Sequence, residues 1–366
     1  MDDEIKARRA RCTDSFQGNG LLRPAELLTS VPPDTVEDVY GDGGVVTDLE
    51  RYIAELLGKP AAVFLPSGTM AQPATLRIHA DKRAGRTILW HPYCHLAAHE
   101  DQAYARLHQL VGRAVGEPER LLTLDDLKSA AEPIAAVLLE LPQRDLGGQI
   151  PPWDDLVTQT GWARERGAAV HLDGARLWEA TAGYERTPAE IAALFDTVYV
   201  SFYKGVGALP GCCVAGSESD VAQLREWRHR MGGTLFAMWP SAASALTLLP
   251  SALAEMPARL DHARAIAVAL AGLPSVRVVP DPPQTPMLHL LLSTTAETYA
   301  ANAKQLAEQA GLWVWPQAVR TGDPAVVRCE LSVGRATLRY KPEFIAETLA
   351  ALTEPIPSAS LTDSIS

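Results

Sequence analysis

Apolar residues fall along the chain in two recurring patterns, one at helical spacing and one in short unbroken runs. Residues 47–57 show the helical spacing, and Gly58, Lys59 and Pro60 follow as a stop signal. The run Ala61-Ala62-Val63-Phe64-Leu65 reads as a strand, closed by the turn residues Pro66-Ser67-Gly68-Thr69. Comparable runs occupy 87–90, 135–139, 168–172, 197–201 and 212–215, and the stretches between several of them, such as 156–166 and 188–194, have helical length and pattern. Strands that are apolar throughout and separated by helices predict an α/β fold with a largely parallel sheet buried on both faces.

Near Pro250 the pattern changes. Residues 251–273 form an Ala/Leu-rich helical stretch, followed by strands at 276–279 and 287–292 and a helix at 296–309. A strand pair around Trp313 and at 326–331 and a helix at 342–352 complete this part. The expected organisation is an arm over 1–35, a large α/β domain over 36–250, a small α+β domain over 251–354, and a flexible Ser/Pro/Thr-rich tail over 355–366.

Length and charge narrow the picture. At 366 residues the chain exceeds what one core usually organises, which agrees with two lobes. The 33 Lys and Arg against 44 Asp and Glu give a net charge of −11, which opposes nucleic acid and anionic membrane surfaces as partners. An anionic ligand would therefore need a local group of cations. Five cysteines, at 12, 94, 212, 213 and 329, show no Cys-x-x-Cys spacing and suit a reducing compartment. The first residues have no apolar secretory core, so the expected location is the cytoplasm. No charge occurs between Arg230 and Glu255, but Gly232, Gly233, Pro240 and Pro250 interrupt that stretch, which reads as a loop and a buried helix with no membrane role.

In a wound α/β sheet, ligands gather at the carboxyl ends of strands. Three groups of residues fall there. Ser67-Gly68-Thr69 opens a helix and is either a plain cap or a phosphate cradle. Val170-His171-Leu172-Asp173-Gly174-Ala175-Arg176 offers a carboxylate that either pairs with Arg176 or faces a cofactor nitrogen. Tyr199-Val200-Ser201-Phe202-Tyr203-Lys204-Gly205-Val206-Gly207 ends an apolar run on a lysine. That lysine is either exposed or desolvated, and a desolvated lysine is an amine nucleophile able to form a Schiff base. Cradle, acid and lysine in this order are the parts that hold pyridoxal 5′-phosphate. The acid keeps the pyridine nitrogen protonated, so the ring can accept electrons from a carbanion.

His91, His95 and His99, with Glu100 adjacent, have the spacing of metal ligands on a continuous helix. Pro92 sets the helix start and leaves His91 outside, so only His95 and His99 share a face. The favoured reading is one histidine facing the cofactor ring and no metal; a zinc hydrolase using His95, His99 and Glu100 is the alternative. Cys94, Cys212 and Cys213 read as small buried residues.

These segments, together with Asp38-Val39-Tyr40-Gly41-Asp42 and Lys204-Gly205-Val206-Gly207-Ala208, resemble the low-specificity threonine aldolases, in the β-eliminating lyase group of fold-type-I pyridoxal-phosphate enzymes. The resemblance implies a large cofactor domain with a mainly parallel seven-stranded sheet, a small C-terminal domain, and a homodimer or homotetramer with active sites at the interface. Carried across, Lys204 is the Schiff-base lysine and Asp173 the pyridine-nitrogen partner. Ser67, Gly68 and Thr69 hold the phosphate, with Ser201 and Arg176 also at the cofactor. His95 stacks on the ring and acts as base. Arg176 and Arg328 grip the carboxylate of an amino-acid substrate, and Tyr40 is contributed across the dimer.

The family's Glu-Asn-Thr-His-Asn segment reads Glu140-Leu141-Pro142-Gln143-Arg144 here, and its Gly-Gly-Gly-Met-Arg-Gln loop reads Gly232-Gly233-Thr234-Leu235-Phe236-Ala237. The implied reaction is Cα–Cβ cleavage of a threonine-like β-hydroxy-α-amino acid to glycine and an aldehyde. The altered positions keep β-elimination, racemisation and transaldol transfer as alternatives.

Overall fold

In this computed structural model, which describes residues 3–83, 85–315 and 317–354, the apolar runs before Pro250 join into one sheet. Its strands are β1 (Ala61–Leu65), β2 (Thr87–Trp90), β3 (Val111–Ala114), β4 (Ala136–Glu140), β5 (Ala169–Gly174), β6 (Thr197–Ser201) and β7 (Cys212–Gly216), in the order β1-β7-β6-β5-β4-β2-β3. The pairs β2–β3, β2–β4, β4–β5 and β5–β6 are parallel, as the unbroken apolar runs predict. β7 departs from that pattern and runs antiparallel to both β1 and β6. The connection from Ser201 to Cys212 is shorter than a parallel crossover requires, so the chain has to double back. β3 was not announced by any apolar run. It is an edge strand with Val111 exposed, so burial never demanded an apolar sequence.

Both faces of the sheet are covered. On one side Val137, Val170, Leu172, Val198 and Val200 pack with Leu156 of the helix Trp153–Glu165 and Trp178 of the helix Leu177–Tyr184. On the other, Val63, Leu65, Tyr199 and Val214 meet Ala71, Ala74 and Ile78 of the helix Gly68–Lys82, with Val221 and Leu224 of the helix Glu218–Arg230. The Gly68–Lys82 helix also turns polar residues inward, Gln72, Thr75 and His79, all buried. A polar stripe at a buried face is costly unless satisfied, and it is the first structural hint of where function lies.

The chain divides into a larger unit, Leu22–Leu260, and a smaller one made of Met1–Leu21 and Asp261–Ser366. This differs from the division expected at 250, because Pro250 and Pro257 both lie inside one helix, Trp239–Leu270. The expected arm is divided as well. Phe16, fully buried, meets Trp315 and Tyr340 edge-on at 6.0 and 6.2 Å and belongs to the core of the smaller unit. That unit carries an antiparallel sheet of β8 (Val276–Val279), β9 (Met287–Leu292), β10 (Val319–Arg320) and β11 (Val327–Ser332), in the order β10-β11-β9-β8. The strand expected around Trp313 is replaced by β10, since the Trp313 amide donates to the Asp14 carbonyl at 2.8 Å, outside the sheet. The tail expected over 355–366 lies outside the described residues. Among those described, no helix is long and apolar enough to cross a membrane, and the five cysteines are free and buried.

Candidate active site

The central strands β4, β5 and β6 end side by side, and register sets Glu140 beside Asp173 and Asp173 beside Tyr199. Asp173 is 1% exposed. Its Oδ2 accepts from Gln72 Nε2 at 2.9 Å and its Oδ1 accepts from the Ala175 amide at 3.1 Å, so its direction is fixed from two sides. The next residue has to be small, because a Cβ on Gly174 would stand 2.6 Å from the Tyr199 carbonyl oxygen.

Beyond β6 the chain enters the lysine loop. Ser201 is fully buried and its hydroxyl donates to the Ala175 carbonyl at 2.9 Å, tying the ends of β5 and β6 together. The Gly207 amide donates to the Lys204 carbonyl at 3.1 Å, in a turn whose φ of 78° at Gly207 suits glycine. Burial pushes the Lys204 amine below its usual pKa; Asp173 opposes that shift, Arg176 adds to it, and Glu140 and Arg144 act as weaker neighbours. Lys204 is therefore the desolvated lysine of the two readings, with more neutral amine available for attack than an exposed lysine has. Gly205 abuts the buried Glu179 carboxylate so closely that any Cβ would collide with it. Beneath the loop, Arg259 is 1% exposed, donates to the Gly205 carbonyl at 2.7 Å and pairs with Glu255 at 2.7 Å.

Glu140 completes the cluster. Burial, and then the charge of Asp173, push its carboxyl up to about 8. Its Oε1 accepts from the Arg144 amide at 3.0 Å and its Oε2 from Gln143 Nε2 at 3.1 Å. Gln143, at the position where the resembled family carries histidine, thus acts as a donor to Glu140. The sequence motif by itself assigns Glu140 no role. The available signal was an acid closing a central apolar run, in the same place on its strand as Asp173.

The expected anion cradle is a helix start. Ser67 has the extended conformation of an N-cap (φ −146°, ψ 138°), yet its side chain makes no capping bond. Gly68 and Thr69 form the first turn of a 15-residue helix, whose free amides and dipole favour an anion. Gly68 packs onto the Tyr199 hydroxyl with no room for a Cβ.

His91 falls outside the helix as expected, but the helix starts at His95 and not at Pro92, which lies in a turn. His91 lies outside the short helix His95–His99, with Nε2 3.0 Å from the Arg120 carbonyl and Nδ1 accepting from the Tyr93 amide at 3.0 Å. Among the described residues no three His, Cys, Asp or Glu groups assemble as a metal site. His95 places Nδ1 3.2 Å from Oε1 of the buried Glu100, while His99 lies 3.8 Å from Asp145. Arg176 has its guanidinium 3.7 Å from Glu179. Tyr40 is 56% exposed, with its ring edge-on to Phe236 at 5.4 Å. Arg328 sits on β11 of the smaller unit, in register with Leu291.

A family model for the β-eliminating lyases matches residues 34–293. Aldolase vrtJ of Penicillium aethiopicum is 32% identical over 68% of this chain and 66% of its own length. The low specificity L-threonine aldolase of Escherichia coli K12 is 28% identical over 62% of this chain and 69% of its own. These matches thus span about two thirds of each relative. Among solved structures, a Listeria monocytogenes protein described as a candidate L-allo-threonine aldolase superposes with a TM-score of 0.88 at 35% identity, covering 96% of this chain and 98% of that one. A Leishmania major threonine aldolase, at 17% identity and a TM-score of 0.72 over 93% of this chain and 98% of its own, shares the fold.

Proposed function

The chain belongs to the β-eliminating lyase family, and from that premise we propose that it is a pyridoxal-phosphate-dependent aldolase. Its substrate is a threonine- or allo-threonine-like β-hydroxy-α-amino acid, cleaved between Cα and Cβ to glycine and an aldehyde. The observation that carries this reading is the desolvated Lys204 amine set among Asp173, Glu140 and Arg176 at the carboxyl ends of β4 to β6.

The residues present fit the cofactor. Asp173 has a fixed orientation and carboxylate acceptor capacity beyond its two bonds, as a partner for a protonated ring nitrogen must. Ser67 keeps its hydroxyl out of the helix cap, beside the free amides of the first turn, where a phosphate would be held with Gly68 and Thr69. Lys204 would hold the aldehyde carbon, with Ser201 and Arg176 at the rim. When bound, pyridoxal phosphate supplies an electron sink for the carbanion that cleavage leaves on Cα. Arg176 takes the substrate carboxylate. Glu100, accepting at Nδ1 of His95, leaves Nε2 as the acceptor for the β-hydroxyl proton, and loss of that proton is what lets the Cα–Cβ bond break toward an aldehyde.

A second reading, β-elimination at the same site, is favoured by Gln143, whose amide donates to Glu140 and offers no second base near the substrate. We further propose a homodimer or homotetramer in which Tyr40 reaches a neighbouring site, supported by the exposed apolar residues around it. The five unpaired cysteines support the cytoplasm as compartment.

The deciding experiment is visible absorbance of the purified protein combined with product analysis. A yellow protein that Lys204→Ala renders colourless, releasing glycine and an aldehyde from threonine or allo-threonine, is the expected result. Ammonia and a keto acid would mark elimination, and a colourless wild type that binds no added cofactor would refute the reading.

A further inference from the structure

A column of buried polar side chains runs beneath Asp173 through the larger unit, where apolar packing is the ordinary choice. Gln72 and His79 stand two turns apart on the inward face of the Gly68–Lys82 helix. On β5, His171 and Asp173 share a face through the two-residue strand period. β6 sets Thr197 in register with His171. None of the five is more than 3% exposed.

Hydrogen bonds link them in two groups, His79 with Thr197 and His171, and Gln72 with Asp173. Thr197 Oγ1 lies 2.8 Å from Nε2 of His79 and 2.8 Å from Nδ1 of His171. Gln72 Nε2 donates to Asp173 Oδ2 at 2.9 Å. Two polar atoms of the column have no hydrogen-bond partner, Oε1 of Gln72 and Nε2 of His171.

A hydroxyl carries one hydrogen, so Thr197 donates to one imidazole and accepts from the other. Both rings are held neutral chiefly by burial, which takes His171 down to about 3 and His79 to about 4. The surrounding charges are few: Asp173 raises and His79 lowers His171, while Asp220 raises and Arg83 and Lys82 lower His79. Two directions remain. If His79 donates to Thr197 and Thr197 to Nδ1 of His171, the His171 hydrogen sits on Nε2. The reverse leaves Nε2 as a bare lone pair. The other unsatisfied atom of the column is an acceptor, and the influence of Asp173 favours a proton on His171, so a hydrogen on Nε2 is the lower-energy arrangement.

We propose that His171 is a positioning residue for Asp173, held as the Nε2–H tautomer by His79 and Thr197, so that His171 turns a hydrogen and not a lone pair to the buried space it shares with the carboxylate meant for the cofactor's ring nitrogen. The proposal rests on the pyridoxal-phosphate reading of the site. It explains why five polar groups occupy a core position that Val or Leu would fill at lower cost. A carboxylate supplied with donors from one side keeps its direction and its acceptor capacity for the other.

The test compares binding of pyridoxal phosphate with binding of the analogue whose ring nitrogen is replaced by a C–H group, using the full-length chain freed of cofactor. Thr197→Val keeps the shape and removes the hydroxyl. It is expected to weaken pyridoxal phosphate about tenfold, the worth of one hydrogen bond, and to leave the analogue unchanged, with Thr197→Ser restoring the wild-type value. Equal weakening toward both ligands, or no change, overturns the proposal. Nitrogen-15 NMR of histidine-labelled wild-type protein, with His171 assigned through His171→Asn, should show the neutral Nε2–H tautomer; the Nδ1–H tautomer overturns the proposal without relying on a Thr197 variant. A wild type that binds neither ligand would remove the cofactor reading itself, and the proposal with it.

Discussion

At the scale of single residues, His95 and the buried histidines carry opposite demands. His95 has a side chain 35% exposed and a carboxylate on Nδ1, which suits the proposed base, open on one side and oriented from the other. His95→Asn is expected to lower kcat about 10²- to 10⁴-fold, the usual worth of a positioned base, while cofactor absorbance is retained. His79 and His171 must stay uncharged. Their folded pKa values, about 4 and about 3, lie below the ordinary 6.5, so between those limits the unfolded chain binds more protons than the folded one. Their contribution is intact above pH 6.5 and is lost as the pH falls through that window. Urea unfolding at stepped pH should show stability dropping toward pH 4, with a shallower slope in His79→Gln.

At the scale of elements, the sheet is a platform and the lysine loop is the part that must be held to it. Helix Trp239–Leu270 does this from outside the βα pattern, through the Arg259 bond to the Gly205 carbonyl. Glu255, one helical turn earlier, is the counter-ion. Arg259→Met is therefore expected to cost about 1–3 kcal/mol in stability, since it removes a charged, buried donor from the part-buried Gly205 carbonyl and the ion pair with Glu255. It should also speed cofactor loss. Chemical unfolding and the rate of absorbance decay on dilution check the two effects separately, and a stability loss with unchanged retention would confine Arg259 to packing. The Gly205 contact with Glu179 belongs to the same fastening, because it leaves the loop no room for a side chain at that point.

At the scale of the whole molecule, the larger unit exposes apolar residues that are close in the chain or in space: Val36 at 68%, Val39 at 50%, Tyr40 at 56%, Leu235 at 46% and Phe236 at 66%. The Tyr40 amide donates to the Phe236 carbonyl at 2.9 Å, which joins the two segments into one surface. A grouped apolar patch of this kind is the mark of an association site. If the proposed assembly forms through this patch, Phe236→Asp is expected to shift the protein to a smaller species in light scattering and to reduce activity in parallel, since the proposed role of Tyr40 needs a neighbouring subunit. An unchanged mass would separate this patch from assembly.

What could be read from the sequence was what local burial dictates. An apolar run ending at Ser201 before Tyr203 and Lys204, and another ending at Leu172 before Asp173, announce their strands and the polar residues that follow them. The bounds of β1, β2, β6, β8 and β9 coincide with the runs that predicted them. Only tertiary structure decided the partners. Gln72 reaches Asp173 across 101 residues of sequence and Arg259 reaches Gly205 across 54, and neither side chain differs in type from those that face solvent elsewhere. The reversal of β7, the exposed edge strand β3 and the transfer of Phe16 to the smaller unit likewise depend on connection length and long-range packing. Periodicity reports whether a residue is buried; which distant residue it is buried against is settled when the chain folds.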